Sequence, residues 1–275
     1  MNMPSIAERR TTFRRLHASG CFVIPNPWDI GSARWLAQLG FKALATTSSG
    51  YAFSRGQADG AITVDEMLQH CREMVAATPL PVNADFEDGH ARGLQQLTDN
   101  VRRCVDTGVA GLSIEDATGD ATQPLYALDD AVARMRAARA AIDASGQDVL
   151  LIARAECFLT GTPDPLDEAL RRLVAYAGVG ADCLYAPGLR TRDEIVAVVK
   201  AVAPKPVNVL IGSAAPFTLA ELADMGVRRI SVGGALARAA WTGFIGAAAP
   251  LIDGRFDGLA NLVAHGDLNR RFGAA

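Results

Sequence analysis

Acids close two consecutive apolar runs of this sequence: Asn83-Ala-Asp85-Phe-Glu87-Asp88, then Glu115-Asp116. On a β-strand alternate residues share a face, so Asn83 and Asp85 point together. Carboxylates on neighbouring strand ends suit a hard divalent cation, Mg2+ or Mn2+ in its place, which takes oxygen ligands and keeps several waters. The competing use of the same acids is to cap the following helices or to pair with arginines. Arg154 sits inside the apolar run Leu150 to Glu156. A buried guanidinium needs an anion, and its fork fits a carboxylate or a developing oxyanion. An ion pair with Glu115 or Glu156 is the plainer reading, and the two are compatible. Thr46-Thr47-Ser48-Ser49-Gly50 brings four hydroxyls and a glycine to the end of another run. Hydroxyls and backbone N–H groups there can bind a carboxylate without a cation, or simply cap the turn. Gly50 to Gly60 carries glycines at 50, 56 and 60 and reads as a lid over the site or an exposed loop. His90 reads as a solvated loop residue, because no base–orienter pair accompanies it. Ser231-Val-Gly-Gly234 resembles a phosphate-binding corner after a last barrel strand.

These residues need a frame. Eight short apolar runs, near 21–27, 42–48, 81–88, 111–117, 150–156, 183–187, 206–211 and 229–234, alternate with longer helical patterns. In one of those, Leu166, Leu170, Leu173 and Val174 recur at helical spacing, with Asp167, Glu168, Arg171 and Arg172 opposite. Glycines at 40, 108, 180 and 226 fall where the helices should end. Strands separated by helices pair in parallel. Eight such units predict an α/β fold, a (β/α)8 TIM-type barrel, because the polar residues at the strand ends then converge on one rim. A helix near 5–19 precedes the barrel and an apolar helical segment near 235–251 follows it. No linker or low-complexity tract divides residues 1–275, so one domain is expected.

Composition narrows the function. The chain has 27 Lys+Arg against 30 Asp+Glu, a net charge of −3, which gives no electrostatic case for nucleic acid or an anionic membrane. The stretch Gly243 to Ile252 is short for a membrane span, and no apolar leader follows the first charges. Five dispersed cysteines without CxxC spacing suit reduced thiols and a cytoplasmic setting. Arginine far outnumbers lysine, a genomic bias rather than a functional signal.

Taken in order, Pro25-Asn-Pro-Trp-Asp29, Thr47-Ser-Ser-Gly50, Gly56 to Asp59, Asn83-Ala-Asp85, Ile114-Glu115-Asp116 and Ile152-Ala-Arg154-x-Glu156 resemble the isocitrate lyase/phosphoenolpyruvate mutase superfamily. The resemblance covers nearly the whole chain. It implies Mg2+ held at Asp85 and Glu115, Arg154 at the keto or enolate oxygen, Thr47 and Ser48 on the substrate carboxylate, and Asp59 as the acid of a gating loop. It places Trp28 and Asp29 along the site. Asn83 stands where relatives carry an aspartate, and Glu87 and Asp88 can restore that charge near the metal. The family's last helix is commonly exchanged between subunits, which implies a homodimer or homotetramer. The lyases' Lys-Lys-Cys-Gly-His loop has no counterpart here: the region reads Gly119-Asp-Ala-Thr-Gln-Pro124. The expected function is a Mg2+-dependent carbon–carbon lyase on a small 2-oxo or 2-hydroxy acid, using Arg154, Asp59 and Glu115 for chemistry. Oxaloacetate decarboxylation leads, since CO2 departs without a proton donor. The alternatives are a phosphonopyruvate-type mutase or hydrolase, and a 2-oxo acid binding protein without turnover.

Overall fold

Every apolar run becomes a strand shorter than the run itself. A computed structural model describes residues 3–273; residues 1, 2, 274 and 275 of the expected 1–275 domain lie outside the described residues. In chain order the elements are α1 (Ile6–Ala18), β1 (Phe22–Ile24), α2 (Ile30–Gln38), β2 (Leu44–Ala45), α3 (Ser48–Ser54) and α4 (Val64–Ala77). Next come β3 (Val82–Asp85), α5 (Leu94–Val105), β4 (Gly111–Glu115), α6 (Leu128–Ala144), β5 (Leu150–Arg154) and α7 (Pro165–Gly178). The last are β6 (Cys183–Tyr185), α8 (Arg192–Val202), β7 (Val207–Leu210), α9 (Leu219–Asp224), β8 (Arg229–Ser231), α10 (Ala235–Ala248) and α11 (His265–Gly273).

All eight strands pair in parallel, in the order β1-β8-β7-β6-β5-β4-β3-β2. The Ala45 N–H donates to the Pro25 carbonyl at 3.1 Å across the remaining gap, so the sheet nearly closes on itself as a (β/α)8 barrel. Helices end as the sequence predicts, Gly108 and Gly180 adopting φ +90° and +100°.

The barrel floor is plugged from below by α1. Phe13, fully buried, packs with Phe22, Ile24, Ala45, Ile152 and Cys183. Gly111 makes room for it: a Cβ there would lie 2.7 Å from Phe13 Cε1 and 2.8 Å from Asn83 Oδ1. Arg10, beside Phe13 on α1, is buried and donates to the carbonyls of Val109 and Val105, 3.0 and 2.8 Å away. The apolar layer therefore fills the lower barrel, and the polar strand ends are left to line the upper part.

Two expectations change. The segment after β2 is not an open loop from Gly50; its first part is α3. Thr47 caps that helix, its Oγ1 accepting from the Gly50 N–H at 3.2 Å, so the hydroxyl cluster starts a helix. At the far end, α10 runs on into a 3-10 turn, Ala249–Asp253. The combined stretch Ala235–Asp253 is long and apolar enough to cross a membrane by length and composition, although it carries Arg238 and Pro250. It is almost wholly solvent-facing, with Trp241, Phe244, Ile245 and Ile252 exposed.

Candidate active site at the barrel mouth

Strand ends position the site. Arg154 closes β5, Asp85 closes β3 and Glu115 closes β4, and the register sets Glu115 directly beside Arg154. Arg154 Nη1 lies 2.9 Å from Asp85 Oδ1 and 3.1 Å from Glu115 Oε2; its Nε lies 2.9 Å from Glu156 Oε1. Its guanidinium carbon stands 5.0 Å from the centroid of the Tyr185 ring. Burial alone would lower Arg154, but Glu115, Glu156, Tyr185 and Asp85 hold it well above the ordinary guanidinium value. The guanidinium is permanently charged and fixed at three points.

The acids around it outnumber it. Burial pushes Glu87 up to about 8, and Asp85, Asp59 and Asp88 add to the shift. Burial also raises Glu115 and Glu156, and it raises Asp59 with help from Asp85. Glu87 takes a left-handed backbone, φ +48°, and its Oε1 is buried without a hydrogen-bond partner. An orphaned carboxylate oxygen among surplus negative charge is what a cation would relieve. Among the described residues no three His, Cys, Asp or Glu side chains converge as a ready-made ligand cage. Asp85, Glu115 and Glu87 therefore fit a hard divalent cation that keeps water in much of its shell, and do not form a closed site.

All of this lines one cavity of ≈ 690 Å³. It brings together Thr47, Ser48, Ser49, Asp59, Asp85, Glu87, Glu115 and Arg154. Ser48 faces it but spends its donors inward, on Asp85. Trp28, Asp29 and Gly50 stand behind the wall instead. Asp29 Oδ1 accepts from the Ser32 N–H at 2.6 Å and caps α2. Gly50 is a packing position: a Cβ would lie 2.7 Å from Thr47 Cγ2 and 3.1 Å from the Cβ atoms of Trp28 and Ala237.

Some residues escape a reading of the sequence. His90 is not solvated: its side chain is 9% exposed, edge-on to Phe86, with Nδ1 4.0 Å from Glu87 Oε2. Its left-handed backbone, φ +49°, turns the side chain inward, which the spacing of a loop does not announce. Asn26 closes the rim: its Oδ1 accepts from the Val232 and Gly233 N–H groups, both at 2.9 Å. Asp116, fully interior, takes the Glu156 N–H at 2.8 Å, Arg172 Nη1 at 3.0 Å and the Tyr176 hydroxyl at 2.5 Å. It anchors the end of β5 from behind. Arg229 lines the lower part of the cavity, and the fully buried Asn208 accepts from its Nε at 2.9 Å.

Residues 13–252 match the sequence profile described as phosphoenolpyruvate phosphomutase. The chain belongs to that family. Its likeness to solved phosphoenolpyruvate phosphomutase relatives spans nearly all of it. A Burkholderia cenocepacia J2315 protein, provisionally named a lyase/mutase, is 49% identical with a TM-score of 0.93, over 98% of this chain and 97% of that one. Oxaloacetate acetylhydrolase, solved with its product oxalate, is 26% identical with a TM-score of 0.85, over 98% and 95%. The oxaloacetate decarboxylase of Bradyrhizobium sp. ORS 278 is 31% identical over 236 residues, 82% of this chain and 77% of the relative. The phosphoenolpyruvate phosphomutase family member described here is thus an enzyme of the lyase/mutase superfamily.

Proposed function

We propose that this enzyme is a carbon–carbon lyase that acts on a small 2-oxo or 2-hydroxy carboxylic acid through an enolate, with oxaloacetate decarboxylation as its reaction. The observation that carries the reading is Arg154, a charged donor locked among Asp85, Glu115 and Glu156 at the wall of an acidic cavity. A preorganised guanidinium is already oriented when negative charge develops on a keto oxygen, so no reorganisation opposes it. Mg2+ or Mn2+ held by Asp85, Glu115 and Glu87 would supply Lewis-acid polarisation of the 2-oxo acid. Ser48 fixes Asp85, and Thr47 and Ser49 offer hydroxyls along the substrate's flank. Asp59 brings the acid of the gating segment to the mouth. Ala117, Thr118 and Gly119 line the cavity on the β4 side without a cysteine or histidine. Decarboxylation fits that wall, because CO2 leaves without taking a proton. The similarity to an oxaloacetate decarboxylase supports the choice.

The test is pyruvate formation from oxaloacetate with Mg2+, for wild type and Asp85→Ala. Turnover no faster than free Mg2+, unchanged by the substitution, rejects the proposal. The family's description favours a second reading, phosphorus–carbon chemistry at the same residues. Incubation with phosphonopyruvate followed by 31P spectroscopy separates the two.

We further propose a homo-oligomer in the cytoplasm. The apolar face of Trp241, Phe244, Ile245 and Ile252 would lie against a second copy of the chain rather than against lipid or solvent.

A further inference from the structure

Three arginines line the cavity, and each is held differently. Arg154 is committed to Asp85, Glu115 and Glu156. Arg229 is 2% exposed beneath the site and donates to two neutral amides, Asn208 and Asn83. Arg92 stands exposed at the mouth, on the segment between β3 and α5. Its Nη1 donates to the Thr118 carbonyl at 2.7 Å and its backbone N–H to Gln96 Oε1 at 3.1 Å. Among the described residues, no carboxylate stands within ion-pair distance of its guanidinium. The acids near it in the fold are spent elsewhere. Asp88 lies 3.7 Å from Arg134 Nη2 and accepts from the Tyr126 hydroxyl at 3.3 Å. Asp120 Oδ1 takes the N–H and the hydroxyl of Thr122, at 2.8 and 2.7 Å.

The bond to Thr118 fixes the level of this charge. Thr118 follows Glu115, the end of β4, by three residues, so the guanidinium is carried outward from the level of Arg154 by at most about 10 Å. Ala117, Thr118 and Gly119, which form the wall on that side, add no charge of their own. Further in, Asp59, Asp85, Glu87 and Glu115 face the same space. They repel a second carboxylate on any acid bound there, and the cation left to receive it is Arg92.

We infer that Arg92 is a specificity-determining residue that receives the far carboxylate of the substrate and so selects four-carbon diacids over monoacids; the inference rests on the 2-oxo acid reading above. On that reading the keto end of the acid sits at the level of Arg154, with Thr47 and Ser49 along its flank. The outermost oxygens of an extended four-carbon diacid are about 6 Å apart, and one hydrogen bond adds about 3 Å, which matches the outward reach to Arg92. A guanidinium carries five N–H donors and the Thr118 carbonyl takes one, so a carboxylate can be met without releasing that anchor. An acid that ends in a methyl group gives Arg92 nothing. The far carboxylate of oxaloacetate loses its charge as it departs as CO2, so Arg92 acts on binding and not on bond breaking.

The experiment is calorimetric titration of the full chain, at matched free Mg2+, by malate and by 2-hydroxybutanoate, which share chain length and hydroxyl and differ in the far carboxylate. Wild type should prefer malate by at least about fivefold, the scale of a charge pair at a solvated rim. In Arg92→Gln the preference should fall below about twofold, with 2-hydroxybutanoate binding unchanged. Arg92→Lys should keep a preference above about threefold, because the charge carries the selection. In oxaloacetate turnover Arg92→Gln should raise KM by about fivefold without lowering kcat. Equal affinity of wild type for the two acids, an intact preference in Arg92→Gln, equal weakening of both ligands, a lysine variant no better than the glutamine one, or a kcat loss at unchanged KM overturns the assignment. Wild type that binds neither these acids nor pyruvate overturns the 2-oxo acid reading itself.

Discussion

Ser48 gives both its backbone N–H and its hydroxyl to one oxygen of Asp85, at 3.0 and 2.9 Å, while the other oxygen of Asp85 receives Arg154 at 2.9 Å. Asp85 is thus aimed from two sides, by the start of α3 and by the end of β5. Ser48→Ala removes one donor and leaves the backbone one. The expected result is a kcat/KM loss of about tenfold, equivalent to about 1.4 kcal/mol, with the thermal midpoint nearly unchanged. A variant as active as wild type would remove Ser48 from the positioning of Asp85.

In the proposed reaction Arg154 would stabilise the negative charge that develops on the keto oxygen. Arg154→Lys keeps a cation but loses the fork that meets Asp85, Glu115 and Glu156 together. Loss of a preorganised donor of this kind costs about 100- to 1000-fold in kcat. Steady-state turnover of oxaloacetate by the variant, with a modest change in KM, is the check. Chelation of divalent ions should abolish turnover in wild type, and Mg2+ or Mn2+ should restore it.

Two buried histidines make the fold sensitive to acid. Burial lowers His17 to about 3 and His70 to about 4, from an ordinary 6.5. Arg229 adds to the effect on His17. Each imidazole stays neutral in the fold and gains a proton on unfolding below pH 6.5. Stability is therefore complete above that pH and declines as pH falls through 6.5 toward 3–4. Each histidine removes about 1 kcal/mol by about pH 5.5. Urea unfolding at about pH 7.5 and 5.5 should show the decline, and His17→Phe, which keeps the ring against Phe13 and Phe22, should reduce it.

The plug residue Phe13 is fully buried beneath the barrel. Phe13→Ala should destabilise by about 3–5 kcal/mol, because the rigid strands around it cannot collapse into the space. Denaturant titration measures this directly; a loss below about 1 kcal/mol would show that α1 does not seal the floor.

Phe244 and Ile245 are 62% and 59% exposed on α10. If the proposed homo-oligomer forms through this face, Phe244→Glu combined with Ile245→Glu should convert it into monomers in sedimentation, since charge on an apolar contact cannot be desolvated without loss. Wild type that sediments as a monomer would reject the association.

Much of the architecture was readable from local pattern. Short β-branched runs between amphipathic segments, and glycines at helix ends, record the chain's own local preferences and burial on both strand faces. They locate the strands, the helices and the acids Asp85 and Glu115, because a strand end is a position in the sequence as well as in space. The start of α3 escaped, since Thr47 can cap a turn or a helix and the outcome depends on what packs against Gly50. His90 escaped because a left-handed backbone, not a sequence period, turns it toward Glu87. Arg229 and Asn83 are 146 residues apart and meet only after closure of the barrel lays β8 across from β3. Which charges are paired and which are left bare is decided by that closure: electrostatic compensation depends on distance through space, and the sequence lists neighbours along the chain.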